Sequence, residues 1–265
     1  MTTSDIGVVV PTLNKRPEYL LQSLLSIRKG GTALVHIVMP QGTQLDSKIT
    51  SDLYDQVVID PKLGLSAAIH TGILSFPEAV KFVTWLGDDD NLKPGALDTT
   101  SAILRSDERV VLAYGGCEYI DKNSDVIFVN RSGRYAKYLM RFGPQLVPQP
   151  GSLFRRSVYD RIGGLNANLK WAFDLDLFIR LSRFGKLHFI PQTVSSFRWH
   201  DDSLSVGGRD GSVREASSVR KKSNIFLLRP IAETWELPLR YLIKYAGNMV
   251  SKKKSQTKSR PQTKG

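Results

Sequence analysis

The segment Lys81-Phe82-Val83-Thr84-Trp85-Leu86-Gly87-Asp88-Asp89-Asp90 carries an apolar stretch straight into three adjacent carboxylates. Its first six residues predict a buried strand, with the acids on the loop at its C-terminal end. Three acids packed together repel one another, and one takes up a proton unless a cation intervenes. Carboxylate oxygens at a strand end suit Mg2+ or Mn2+, held by one or two carboxylates together with substrate phosphates. A solvated acidic turn is the competing reading, and the position directly behind a buried strand argues against it.

Working outward from this strand, the preceding residues alternate strand and helix signals. Residues 6–10 form a continuous apolar run rich in β-branched residues, the mark of a strand buried on both faces of a parallel sheet. Pro17 opens a helix over 17–27, with Leu20, Leu21, Leu24 and Leu25 on its buried side. Strands follow at 33–39 and 57–59, and a helix at 65–74. The pattern predicts an α/β fold with a doubly wound mixed sheet, mostly parallel, whose ligands sit beyond the strand C-termini. The loops after the first, third and fourth strands are therefore the places for a site. Beyond Gly95 the reading continues with a helix over 96–105 and a strand over 110–115. A hairpin over 118–129 turns at Lys122-Asn123-Ser124, and helices follow over 154–161 and 172–184.

Two further motifs carry chemistry. In Phe173-Asp174-Leu175-Asp176-Leu177-Phe178-Ile179-Arg180, the apolar residues Leu175, Phe178 and Ile179 share a helix face. Asp174 and Asp176 lie off its centre, either as acids favouring the helix dipole or as a general base facing a cleft beside an Arg180 ion pair. In Phe197-Arg198-Trp199-His200-Asp201-Asp202, His200 is a candidate to complete a metal shell. His36, His70 and His188 lie in periodic segments and read as structural. No glycine-rich phosphate loop, serine nucleophile elbow or Cys/His nucleophile signature occurs.

The formal charge of +12 is unevenly placed. Residues 214–265 hold 13 Lys or Arg against 3 Glu, a net of +10, which leaves +2 for residues 1–213. The expected organisation is a main domain over 1–213, a helical extension over 214–250, and a disordered basic tail over 251–265. In the extension Trp235, Leu239, Leu242, Ile243 and Ala246 recur at helical steps beside Arg240 and Lys244. Such a helix either packs on the domain or lies on an anionic membrane surface with the tail. No nucleic-acid-binding motif accompanies the charge, so no nucleic-acid partner is expected. The single cysteine, Cys117, excludes an intrachain disulfide and suits a reducing compartment. The start does not read as a secretory signal, and no run approaches the roughly 18 apolar residues of a membrane span. A cytoplasmic location is expected, peripheral on the inner membrane face if the extension binds lipid.

The order of motifs resembles the inverting GT-A glycosyltransferases of family two. The resemblance runs from about residue 6 to 206. Val8-Val9-Val10-Pro11-Thr12-Leu13-Asn14 is similar to that family's first strand and turn. Leu63-Gly64-Leu65-Ser66-Ala67-Ala68 is similar to its glycine-led segment, and Gly87-Asp88-Asp89-Asp90 to its metal-binding DxD loop. Pro150-Gly151-Ser152-Leu153-Phe154 matches its acceptor-side segment, and the helix at Asp174 stands where the family carries its base. The resemblance implies a nucleotide-sugar donor over Thr12, Asn14, Gln41, Asp60, Lys62, Gly64 and Asp88. It implies Mn2+ or Mg2+ on Asp89, with Asp90 and His200 in support, and Asp174 as base. Asp176, Arg180 and Arg198 would lie on the side of a glycan or lipid-linked acceptor, in polysaccharide or glycolipid synthesis. Three departures stand out: Gly87 replaces the first DxD aspartate, Pro40-Gln41 replaces an acid after the second strand, and Phe173 replaces a frequent Glu. They motivate an alternative, a degenerate GT-A protein that binds a glycan or nucleotide without transfer. A nucleotidyltransferase would need a glycine-rich N-terminal loop, which Pro11–Arg16 lacks.

Overall fold

The computed structural model describes residues 4–130, 133–141, 145–199 and 209–223. Its elements run β1 (Ile6–Pro11), α1 (Pro17–Gly30), β2 (Leu34–Met39), β3 (Gln56–Ile59), α2 (Leu65–Leu74), β4 (Phe82–Trp85), β5 (Asn91–Leu92) and α3 (Ala96–Ser106). Then come β6 (Val110–Ile120), β7 (Val126–Asn130), α4 (Ala136–Leu139), β8 (Leu153–Arg155), α5 (Arg156–Arg161), α6 (Phe173–Leu181), β9 (Lys186–Arg198) and α7 (Arg209–Ser223).

The strands form one sheet in the order β3-β2-β1-β4-β8-β6-β9-β5, with β7 on the far half of β6. β3, β2, β1 and β4 are mutually parallel, and β6 runs parallel to β9. The short β8 lies antiparallel to both β4 and β6 and joins the two parallel blocks. Period-two alternation sends successive side chains of β1 to opposite faces. Val8 and Val10 meet Leu20, Leu24 and Ile27 of α1 and Leu97 of α3. Val9 meets Ile69 and Ile73 of α2 in the other core, which also takes Leu177 and Phe178 of α6. Each of these side chains contributes roughly 1.5–3 kcal/mol on burial, so a helix layer covers each face of the sheet. Gly72 lets α2 approach the sheet, because a Cβ there would stand 2.7 Å from Val9 and Val38.

The predicted α/β sheet and its first five elements are present; β9 is a strand that the sequence reading does not propose, and two expected segments differ locally. Residues 154–161 are not one helix: Leu153–Arg155 is a strand, and only Arg156–Arg161 is helical. Phe154 pairs with both Val83 and Leu112, so the gap between two strands overrides the local helical signal. The strand expected over 110–115 continues to Ile120 because β9 supplies a partner along its length. Gly115 sits at an irregularity of that ladder, where a Cβ would meet the Gln192 carbonyl at 2.6 Å. The boundary expected after residue 213 falls inside α7. Residues 224–265, including the predicted amphipathic helix and basic tail, lie outside the described residues. Among the described residues no helix is long and apolar enough to cross a membrane.

Candidate active site

The ends of β1, β4 and β6 open into a cleft of about 1050 Å3. Its wall is made by the loop after β1, the N-terminus of α2, the Asp88-Asp89-Asp90 loop and the start of α6. Pro11 ends β1 and releases the chain into a turn in which the Thr12 N–H still donates to Val38 O at 2.8 Å. The Thr12 hydroxyl accepts from the Asn14 N–H at 2.8 Å and donates to Asp88 Oδ2 at 2.5 Å. This pair ties the β1 loop to the acid loop across the strand ends. Asn14 has a left-handed backbone (φ 52°) and donates its amide to Gln44 O, so it shapes the loop rather than the cleft wall.

The three consecutive carboxylates have three different surroundings. Asp88 faces the cleft through its Thr12 bond. Asp89 also lines the cleft, with the Arg16 guanidinium 3.6 Å away. Asp90 is only 5% exposed and accepts the Arg198 backbone N–H at 3.0 Å. Burial first, then the neighbouring Asp89, holds its carboxyl well above the usual carboxylate range. The repulsion expected of three adjacent acids is thus relieved by seating one of them in the interior.

Asp174, in the first turn of α6, lines the same cleft. Its pKa is raised to about 6, chiefly by burial, while the Leu175 N–H donating to Oδ1 at 2.7 Å pulls the other way. The Gln145 amide beside it also acts to lower the value. A carboxyl poised near 6 is ionised at neutral pH and still basic enough to accept a proton. The fold therefore brings Asp88, Asp89 and Asp174 together from segments far apart in the chain.

Of the remaining expected donor residues, Asp60 and Gly64 line the cleft. Asp60 Oδ1 accepts the Lys62 N–H at 2.8 Å in the turn that leads to Gly64, whose φ of 100° starts α2. Lys62 and Gln41 are exposed and stand off the wall. Asp176 and Arg180 form an ion pair at 2.7 Å away from the cleft, with Arg180 also donating to Ile162 O. Arg198 is 1% exposed and also off the wall. Its guanidinium donates to Asp89 O, Asp121 O, Ser124 Oγ and Gln22 Oε1 and lies 4.3 Å over the Tyr19 ring. It fastens the underside of the acid loop to α1 and to the β6–β7 turn. His36 and His70 are held by Ser75 and by the Tyr159 hydroxyl, as structural histidines. His200 lies outside the described residues.

The wall also contains residues that the pattern of acids did not single out: Lys15, Arg16, Tyr119, Gln145 and Trp171. Lys15 and Arg16 stand directly after the Thr12–Asn14 turn, and two cations beside that turn were a legible signal for an anionic ligand. Tyr119, Gln145 and Trp171 carried no local signal, because only tertiary packing directs them inward.

Asp88 and Asp89 present carboxylates to the cleft, which fits a hard ion bound by one or two carboxylates and completed by substrate phosphates. Asp90 lines the cleft as well, but it is 5% exposed and its Oδ1 accepts the Arg198 N–H, so it presents less of its carboxylate to such an ion. Among the described residues no group of three or more His, Cys, Asp or Glu side chains is arranged as a self-sufficient metal site.

No protein-family model matches the chain. It is 27% identical over 147 residues to an uncharacterized glycosyltransferase of Rickettsia typhi, covering 52% of this chain and 45% of that one. A counterpart in Rickettsia prowazekii is 27% identical over 146 residues with the same coverage. The match thus spans less than half the length of these relatives. Among solved structures, Staphylococcus aureus TarS residues 1–349 in complex with UDP-GlcNAc superposes with a TM-score of 0.63 at 13% identity, covering 86% of this chain and 69% of that one. The mannosyltransferase PcManGT of Pyrobaculum calidifontis, in complex with GDP-Man and Mn2+, gives 0.62 at 14% identity, covering 86% and 68%. The strand order, the two helix layers and the cleft at the strand ends are those of the GT-A fold, and this chain has that fold.

Proposed function

We propose that the chain is a glycosyltransferase that moves a sugar from a nucleoside-diphosphate donor to an acceptor hydroxyl with inversion at the anomeric carbon. The observation that carries this reading is the sharing of one cleft by Asp88 and Asp89 at the end of β4 and by Asp174, with its raised pKa. The nucleotide sugars held by TarS and PcManGT, and the Mn2+ in the latter, support the donor class and the cation.

On this reading the nucleoside lies over the β1 turn, Asp60 and Gly64, and the diphosphate faces Lys15 and Arg16. Asp89, with Asp88 beside it, would hold a divalent cation, which supplies compensation for the charge on the departing nucleoside diphosphate. Thr12 sets the rotamer of Asp88 through its hydroxyl. Asp174 takes the proton from the acceptor hydroxyl as that oxygen attacks the anomeric carbon opposite the leaving group. Holding both reactants in one cleft supplies the orientation that such a displacement needs. The acceptor is a glycan or a lipid-linked glycan of cell-surface synthesis, and the basic C-terminal segment would hold the enzyme near it at the inner membrane face.

Asp89→Ala and Asp174→Asn are each expected to lower transfer from a nucleotide sugar by at least about 100-fold, with circular dichroism unchanged. Full transfer by both variants overturns the reading. Retained binding of nucleotide or glycan by a wild-type chain that transfers no sugar selects a binding protein with the same fold.

A further inference from the structure

At the start of α6 the N-cap residue, Ala172, offers no side-chain acceptor, and within the first turn Asp174 Oδ1 accepts only the Leu175 N–H. The chain leading into that start is held from α7. Glu215 Oε1 accepts the Lys170 N–H at 2.9 Å, and Oε2 accepts the N–H groups of Trp171 at 2.6 Å and Ala172 at 2.7 Å. Three successive backbone donors therefore converge on one carboxylate at the positive end of the α6 dipole. Such charge-assisted bonds are short and roughly twice as strong as neutral ones. One helical turn earlier on α7, Gly211 lies against Trp171, and a Cβ there would stand 2.6 Å from the indole. Trp171 lines the cleft, with the Lys170 ammonium 4.8 Å from its ring. Val219, buried at the next turn beyond Glu215, anchors the same helix face to the core that contains α6.

We infer that Glu215 is a positioning residue for Asp174. Its carboxylate holds the 170–172 backbone in one conformation, and that conformation fixes both the Trp171 wall and the first turn of α6, from which Asp174 enters the cleft. The inference rests on the proposed transfer reaction for what Asp174 does, and on the hydrogen bonds alone for the clamp itself. It makes α7 a structural part of the reaction cleft, although sequence reading places Glu215 beyond the main domain.

The test uses the full chain with Glu215→Ala, Glu215→Gln, Glu215→Asp and Gly211→Ala. The expected result is a kcat loss of roughly 10- to 100-fold in Glu215→Ala, the cost of misplacing a reacting group by about 1 Å, with donor KM nearly unchanged. The acidic limb of its kcat profile moves to lower pH as water reaches Asp174. Glu215→Gln, which keeps one oxygen acceptor, falls between it and wild type, and Glu215→Asp recovers part of the loss. Gly211→Ala keeps the carboxylate but displaces Trp171, and it lowers kcat even where Glu215→Ala proves too unstable to assay. Hydrogen exchange supplies a readout apart from activity: the amides of 170–172 exchange faster in Glu215→Ala while those of β1 and β4 do not. Unchanged exchange at 170–172, or wild-type kcat and pH profile in the folded Glu215 variants, overturns the inference. A wild-type chain inactive with every nucleotide sugar overturns the transfer reaction instead, and the exchange measurement still decides the clamp.

Discussion

Asp174 costs the folded state something that an amide in its place would not. Its pKa rises from an ordinary carboxyl value of 3.8 to about 6, because burial disfavours the charged form. The folded protein therefore holds that proton more tightly than the unfolded chain does. The penalty for ionisation accumulates as pH rises from about 4 to about 6 and stays constant above that. Asp174→Asn should accordingly unfold at a higher temperature than wild type at pH 8, by on the order of 1–3 kcal/mol of stability. The difference should close toward pH 4, where both side chains are neutral; an equal gap at pH 4 and pH 8 would contradict the assignment. On the proposed transfer reaction, the rate of the wild-type chain should rise with pH through about 6, as Asp174 loses its proton. Asp89 stood out in the sequence because carboxylates directly behind a buried strand have few structural uses, whereas Asp174 stood out only through the resemblance, since an acid at a helix start also serves the helix dipole. Gln41, expected at the donor, and Arg198, expected at the acceptor, stand off the cleft wall, because nothing in the local pattern shows whether a long polar side chain turns toward solvent, a neighbour or a ligand.

At the scale of elements, the sheet block from β1 to β4 was legible down to its helices. Those strands are short, largely apolar runs rich in β-branched residues, and the helices between them repeat at the expected spacing. β8 and β9 were less so. β8 has three residues, and its strand conformation comes from partners on both sides. β9 contains Pro191 and a break in register beside Gly115, so it shows no clean alternation. The end of β9 is secured by Arg198, whose buried guanidinium satisfies backbone carbonyls from the acid loop and the β6–β7 turn. Arg198→Ala would leave those acceptors unpaired in the interior, at a cost of about 3–5 kcal/mol by chemical denaturation. Arg198→Lys should recover only part of this, because an ammonium cannot reproduce the planar fork. A loss below about 0.5 kcal/mol for Arg198→Ala, the range of unremarkable surface changes, would show that the acid loop does not depend on this anchor.

For the whole molecule, the charge divides into a nearly neutral body and a strongly basic C-terminal fifth. Fixed charge on a short segment attracts an anionic surface by roughly 1 kcal/mol per basic group close to it, and salt screens the attraction. Full-length protein should therefore co-sediment with vesicles rich in anionic lipid at low salt, and a chain ending before Arg229 should stay in solution. Equal retention of both forms would remove the membrane from the functional reading. The truncated chain keeps Glu215 and all of α7, so it should retain the cleft and its affinity for nucleoside diphosphates.

The keystone place of β8 also bears on how the chain is made. Its partners on both sides, β4 and β6, leave the ribosome before it does, but β9, which completes the other edge of β6, follows some thirty residues later. At the usual synthesis rates of about 5–20 residues per second, the nascent chain spends seconds with an eleven-residue strand open along one side. An unpaired edge of that length is a template for association with another chain. The interval between synthesis of β6 and docking of β9 is thus the stage at which a chaperone would protect this protein most.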